Sequence, residues 1–313
     1  TNNRLGDYMK LQNEIIEREL NGIKFKLKQK QNFSFLKEFG KVFCVFDQND
    51  SGNISFGVVN ENNEKFFIKI AGAKTLESFR QPKECIEDLE KTIGVYEDLR
   101  CDYLIDIVTS GRFENLFYIV FRWADGECLF DHWNFEYYRE HPEIDPPRRK
   151  FSNLSEKEKI RVANQIFDFM IFVESKGYVA VDFYDGSLMY DFDTLRLIIC
   201  DIDFFRKKPA INDIGFNYWG TKRMKAPEEY QLNATIDSKT NIFTIGALFF
   251  NIFGQYPTDV IKKMYKENHF IPLEKSDWKL SSKLYEITLK AVKYNPDDRY
   301  TSIKNFRDVW TNS

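Results

Sequence analysis

Apolar and polar positions alternate in two distinct textures along the chain, and the change between them predicts its architecture. Residues 1 to about 30 are polar, with apolar positions at Leu5, Met9, Leu11, Ile15, Ile16 and Leu20. That spacing suits an amphipathic helix leaning on the main body, or equally a solvated leader. From Phe33 to Ile70 the apolar residues fall in short runs broken by Asn49-Asp50-Ser51-Gly52-Asn53 and by Asn60-Glu61-Asn62-Asn63-Glu64. Three antiparallel strands joined by two tight loops are expected there. Ile86, Leu89, Ile93, Tyr96 and Leu99 then step by three and four, the period of a helix, and strand-like runs follow at Leu104 to Val108 and Leu116 to Phe121.

Beyond Trp123-Ala124-Asp125-Gly126 the pattern is helical almost to the end. Segment 134–153 reads as an insertion in which Pro142, Pro146 and Pro147 forbid one continuous helix. Ser155 opens the next helix as Ser-Glu-Lys-Glu, a capping box closed by Glu158, and that helix should run to Gly177. The expected class is α+β: a helical extension over 1–32, a small β-rich lobe over 33–122, a hinge near 122–126, and a larger helical lobe over 123–313.

Composition narrows the partners. The 313 residues are 43% hydrophobic and 16% aromatic, with 30 Phe, which suits a folded body. A formal net charge of −3, with both signs interspersed, points away from nucleic acid and from membrane surfaces as partners. Five scattered cysteines without a CxxC pair fit reduced thiols and a cytoplasmic protein. His132, His141 and His269 are too dispersed for a metal cage, no apolar stretch approaches a membrane span, and the polar start does not look like a signal peptide.

Candidate chemistry gathers at three places. Lys69 closes the strand Phe-Phe-Ile-Lys-Ile-Ala-Gly, where an ammonium can point inward, although a strand-end lysine is more often a solvated edge residue. Asp182 ends an apolar run in Gly-Tyr-Val-Ala-Val-Asp; a loop aspartate is often only a turn former, but a carboxylate beside buried residues needs a partner or a task. Further on, the strand Leu-Arg-Leu-Ile-Ile-Cys runs into Asp201-Ile202-Asp203. Two loop carboxylates joined by a short hairpin are what a magnesium–phosphate centre requires.

With these residues in view, the chain resembles the protein kinases over roughly residues 33 to 310. Val179-Ala180-Val181-Asp182-Phe183-Tyr184-Asp185-Gly186-Ser187 is similar to the catalytic loop, and Leu197-Ile198-Ile199-Cys200-Asp201-Ile202-Asp203 to the strand and metal-binding triplet. Gly220-Thr221-Lys222-Arg223-Met224-Lys225-Ala226-Pro227-Glu228 resembles the segment that forms the peptide-substrate shelf. The resemblance implies a serine/threonine protein kinase of divergent, bacterial type, using ATP with Mg²⁺ or Mn²⁺ on a protein substrate. It makes Asp182 catalytic, Lys69 the phosphate cation, Thr221 the hydrogen-bond partner of Asp182, and Asp201 the metal ligand with Ser187 and Asp203. Gly52, Asn53 and Gly57, with Arg122 and Ala124 in the hinge, would meet the nucleotide. Glu228 would pair with Arg299 as a buried structural ion pair.

Departures from the kinase pattern cluster around the same residues. Ala180 and Val181 replace the catalytic His and Arg, and residues 204–217 contain no Ser, Thr or Tyr, so switching by phosphorylation there is not expected. Ser187 stands where Asn binds the second metal, with Asp185 or Asp203 as substitutes. Ile54 takes the middle glycine of the phosphate loop, and Thr92 the place of the helix glutamate that pairs with Lys69, with Asp88 or Glu87 as replacements. Two alternatives therefore stay open: a pseudokinase that binds partners through residues 1–30 or 134–153, and a small-molecule phosphotransferase.

Overall fold

The computed structural model describes residues 15–47, 51–130 and 134–313. The chain divides into two compact units. One holds the described residues up to Glu97 with Ile105–Ala124, and the other holds Asp98–Leu104 with the described residues from Asp125 onward.

The first unit is built on five antiparallel strands in the order β3-β4-β5-β7-β6. These are β3 (Lys41–Phe46), β4 (Asn53–Val59), β5 (Lys65–Ala71), β6 (Ile107–Phe113) and β7 (Leu116–Arg122). The three strands expected between Phe33 and Ile70 are thus present, as is the helix, α1 (Pro82–Asp98), whose Tyr96 ring lies 5.0 Å from that of Phe121. The strand expected from Leu104 begins later, at Ile107. Leu104 instead forms an isolated bridge to Ile199 in the other unit's own fold.

The expected helical extension is not found where the chain is described. Residues 1–14 lie outside the described residues, but β1 (Ile16–Leu20) and β2 (Ile23–Leu27) form an antiparallel hairpin. Asn21 and Gly22 turn it with φ of 52° and 85°, both left-handed. Such a turn matches the natural strand twist and competes well with a short, marginal helix. Phe25 and Phe33 then pack edge-on against Phe56 at 5.2 Å each, so the hairpin gains burial that a solvated helix would lack.

The second unit is mostly helical. Its short segment 134–153 forms two pieces, α2 (Phe135–Glu140) and α3 (Pro147–Ser152), separated by the proline stretch. The helix α4 (Glu156–Ser175) starts at Ser155, whose hydroxyl accepts from the Glu158 amide at 3.2 Å. Only that half of the capping box forms, because the Glu158 carboxylate turns to Arg161 and to the Tyr190 hydroxyl. The helix stops at Ser175, two residues short of Gly177. The helix α5 (Ser238–Ile252) is apolar on all sides and buried along nearly its whole length, as a central helix must be. Around it stand α6 (Thr258–Glu267), α7 (Ser282–Ala291) and α8 (Ile303–Thr311). Phe167 of α4 meets Phe249 of α5 at 5.3 Å and Phe306 of α8 at 5.0 Å, edge to face. Short strand pairs carry the loops: β8 (Glu127–Cys128) with β10 (Leu188–Asp191) and β11 (Arg196–Ile199), β9 (Tyr178–Val179) with β12 (Arg206–Lys207), and β13 (Ala210–Ile211) with β14 (Thr235–Ile236). No helix among the described residues is long and apolar enough to cross a membrane.

Candidate active site

Asp182 leaves β9 through the buried pair Ala180-Val181, and the Ala180 amide is held by the side-chain oxygen of Asn241 at 2.9 Å. Its backbone is left-handed at φ 58°, and Asp201, which follows β11, is left-handed at φ 53°. A non-glycine residue in this region is strained, and such strain is held where surrounding contacts over-determine the chain, commonly at functional sites. The contacts are visible for Asp182. Its Oδ1 accepts from the Thr221 amide at 3.1 Å and from the Thr221 hydroxyl at 3.5 Å.

The loop after Asp182 is a single tight turn. The Ser187 amide donates to the Tyr184 carbonyl at 2.9 Å, and the Tyr184 amide donates to Ser187 Oγ at 3.4 Å. The Ser187 carbonyl in turn accepts from the Cys200 amide at 2.9 Å, which ties this loop to the residue just before Asp201. Asp203 sits two residues beyond, partly buried in the turn that follows. Tyr184 reports on the whole neighbourhood. Its phenol is pushed well above the ordinary range, first by burial, then by the charges of Asp201 and Asp182 and more weakly by Cys128 and Asp185. The phenol is thereby kept neutral and remains able to donate a hydrogen bond.

Asp185 was a candidate substitute metal ligand, and the structure gives it other work. It is fully buried and paired with Arg223, which bonds its two oxygens at 2.9 and 3.2 Å. Ser187 is fully buried as well, and its hydroxyl already caps the turn. Among the described residues no three His, Cys, Asp or Glu side chains form a metal-holding group by themselves. The shelf after Thr221 is firmly braced. Glu228 takes both guanidinium branches of Arg299, at 2.7 and 2.9 Å, and a hydrogen bond from Thr240 at 2.9 Å, so the ion pair expected from the sequence is present and buried. Lys225 donates to the Tyr218 carbonyl at 2.6 Å; burial lowers its pKa, opposed by Glu229 and Asp182.

In the first unit Lys69 stands in the middle of the sheet, between Ser55 on β4 and Ile119 on β7, and is 7% exposed. It is not the solvated edge residue that its place in the sequence allowed. Thr92 is buried, with its hydroxyl turned to the Asp88 carbonyl at 3.0 Å. Of the two replacement carboxylates, Asp88 pairs with Arg80, and Glu87 is an exposed neighbour of Lys83 at 3.8 Å.

The two glycines expected near the nucleotide, Gly52 before β4 and Gly57 within it, have different reasons. A side chain on Gly52 would meet Cys85 Sγ at 2.5 Å and Ser78 Oγ at 2.9 Å, because this loop folds onto the start of α1. Arg80 and Cys85 both donate to the Ser51 carbonyl, and Asn53 is buried with its side-chain oxygen unpartnered. On Gly57 a side chain would strike Cys44 Sγ at 2.4 Å and Phe43 at 2.8 Å. At the other end of the sheet the Arg122 amide donates to Asp106, and its side chain is exposed; Ala124 is partly buried. Two surface pockets of this unit are lined, one by Arg18, Lys30 and Glu114 among others and one by Lys83, Glu90 and Arg112 among others.

Sequence reasoning missed Tyr184 and Arg223. The only signal for either was residue type: a tyrosine inside a loop of aspartates and an arginine just before Met224-Lys225-Ala226.

No profile of a known protein family matches the chain. It is 25% identical over 244 residues to a protein of Plasmodium falciparum named "Probable serine/threonine-protein kinase 2". The match covers 73% of this chain and 44% of that relative, so the chain spans less than half the length of the protein it matches. The α+β organisation, with a β-rich unit followed by a helical one, is that of a kinase-like fold.

Proposed function

We propose that the chain is an ATP-dependent serine/threonine protein kinase. The observation that carries the reading is the pair of left-handed aspartates, Asp182 and Asp201, the first fixed by Thr221 and the second following directly on the Cys200 amide that is bonded to Ser187 of the same loop. In the transfer, the acceptor hydroxyl oxygen forms a bond to the γ-phosphorus as the bond to the bridging oxygen of ADP breaks. Asp182 orients that hydroxyl and takes its proton. Lys69 neutralises phosphate charge, and its buried position on β5 supports a fixed rather than a solvated ammonium.

Hard carboxylate oxygens suit Mg²⁺ or Mn²⁺, and Asp201 with Asp203 would hold the ion. When bound it would draw negative charge off the phosphates. Ser187 is assigned to shaping the turn, because its hydroxyl already accepts from Tyr184. Gly52 and Asn53 would line the phosphates through their backbone amides.

A pseudokinase is the second reading. It is favoured by the commitment of Asp185 to Arg223 and of Asp88 to Arg80, which leaves two expected substitutes occupied. A small-molecule phosphotransferase is disfavoured by the braced shelf, since Glu228 and Arg299 hold a surface that such an enzyme does not need.

The test is thermal shift and labelled-phosphate transfer with ATP and Mg²⁺ or Mn²⁺. Wild type is expected to be stabilised and to label a generic protein acceptor, and Asp182→Asn to lose about 100-fold or more in transfer while still binding nucleotide. Absence of any shift at millimolar nucleotide would sink the reading. A shift without transfer, unaltered in Asp182→Asn, would favour the pseudokinase.

A further inference from the structure

Among the described residues of the second unit, two ion pairs are buried on both sides. Glu228–Arg299 is the one the shelf was expected to contain. Asp185–Arg223 is not accounted for by the proposed chemistry, and it is more completely enclosed: the side chains are 0% and 1% exposed. Taking two charges out of water is unfavourable unless geometry and further hydrogen bonds compensate, so such a pair more often secures one arrangement than adds stability.

The surroundings supply those bonds. Arg223 Nη1 donates to Asp185 Oδ2 at 3.2 Å and to Asn251 Oδ1 at 2.9 Å, Nη2 donates to Asp185 Oδ1 at 2.9 Å, and Nε donates to the Tyr265 hydroxyl at 3.2 Å. The guanidinium also lies over the Phe130 ring at 4.6 Å. Asn251 is itself anchored to the Ala247 carbonyl of α5 at 2.9 Å. Asp185 accepts from the Gly186 amide at 3.1 Å.

The position of the pair matters most. Asp185 lies three residues after Asp182, and Arg223 lies two residues after Thr221. The loop and the shelf are therefore stitched twice, by Thr221 on Asp182 and by Arg223 on Asp185, with a short rigid length of chain between the stitches on each side. Nothing in residues 204–217 can accept a phosphate, and Ala180-Val181 offers no cation to receive one. The segment needs some other means of being set.

We propose that the Asp185–Arg223 pair is a built-in latch that positions Thr221 on Asp182, so that the shelf is ordered without phosphorylation. Asp185 and Arg223 are positioning residues: neither is assigned to substrate. The proposal rests on the reading of Asp182 as the residue that orients the acceptor hydroxyl, but the latch itself can be measured without any turnover.

The experiment compares wild type, the paired apolar replacement Asp185→Leu with Arg223→Met, and the conservative Arg223→Lys. Each is followed by melting temperature, by amide hydrogen exchange at Thr221, and by kcat and KM for ATP and for a protein acceptor. The paired replacement leaves no lone buried charge, so it is expected to fold. Its Thr221 amide is expected to exchange about tenfold faster, as for one lost hydrogen bond. Its kcat is expected to fall about ten- to a hundredfold at unchanged KM for ATP, the signature of lost orientation. Arg223→Lys, which keeps the charge but not the forked contact, is expected to fall between the two.

A folded double variant with wild-type Thr221 exchange and wild-type kcat would overturn the latch and leave the pair a structural one. If the double variant does not fold, the same two readouts in Arg223→Lys decide: no change in either overturns it. If wild type transfers no phosphate, the proposed function fails, and Thr221 exchange alone still decides the latch.

Discussion

Glu229 is buried beside the Glu228–Arg299 pair, and its Oε2 accepts from the Ala226 amide at 2.7 Å. Burial pushes its carboxyl up to about 8, with Glu228 acting in the same direction and the amide bond, Lys225 and Arg299 against it. The folded value lies above the ordinary one, so the native state holds a proton that the unfolded chain releases. That contribution to stability is complete below the unfolded value and is lost as pH rises through the folded one. Glu229→Gln keeps the acceptor and removes the titration. Wild type is expected to lose melting temperature relative to this variant between about pH 4.5, the ordinary carboxyl value, and about pH 8, and no further above it. Parallel curves would dismiss the buried proton. Next to it, Arg299→Met strands Glu228 without its cation and is expected to cost about 3–5 kcal/mol in urea denaturation. A loss below about 1 kcal/mol, the surface-pair range, would contradict the buried geometry.

At the level of elements, the hairpin β1–β2 is the clearest departure from the expected pattern. Ile15, Ile16 and Leu20 were compatible with one face of a helix, yet Asn21-Gly22 between Ile-Glu-Arg-Glu-Leu and Ile-Lys-Phe-Lys-Leu is a strong short-range hairpin signal. Asn21 does more than turn the chain, because its side-chain oxygen accepts from the Val42 amide at 2.9 Å and so ties the hairpin to β3. Asn21→Gly keeps the turn and loses that bond, and is expected to lower stability by about 1 kcal/mol. An unchanged denaturation midpoint would show that the tie contributes nothing. On β4, Gly57→Ala forces Cys44 and Phe43 apart and is expected to cost about 1–3 kcal/mol by overpacking. Adding Cys44→Ala removes the nearest clash and should recover part of the loss. Full independence of the two changes would mean that the sheet yields elsewhere.

The whole molecule carries a net charge of −3 with both signs interspersed. A polyanion partner needs a basic stripe that survives salt screening, and here acidic residues sit beside many of the basic ones, as in Lys207 with Asp98 at 3.2 Å and Lys208 with Glu174 at 3.5 Å. The chain is expected to pass through a heparin column at about 150 mM salt. Retention there would reveal a basic face that the net charge conceals.

Periodicity along the chain was enough for the strands between Phe33 and Ile70, the helix begun by Ser155, and the order of a β-rich unit before a helical one, because these depend on local apolar spacing and local caps. The Glu228–Arg299 pair and the Thr221–Asp182 bond were legible only through the likeness of their segments to kinase motifs, since nothing local announces a partner 71 or 39 positions away. Tertiary structure alone decided the rest. It placed Arg223 on Asp185, turned Asp88 to Arg80, folded the Gly52 loop onto Cys85, and gave Phe25 the core contact that makes residues 16–27 a hairpin. Each of these is a choice among several chemically equivalent partners, and only the packing of distant residues brings one of them within bonding distance while burying the others.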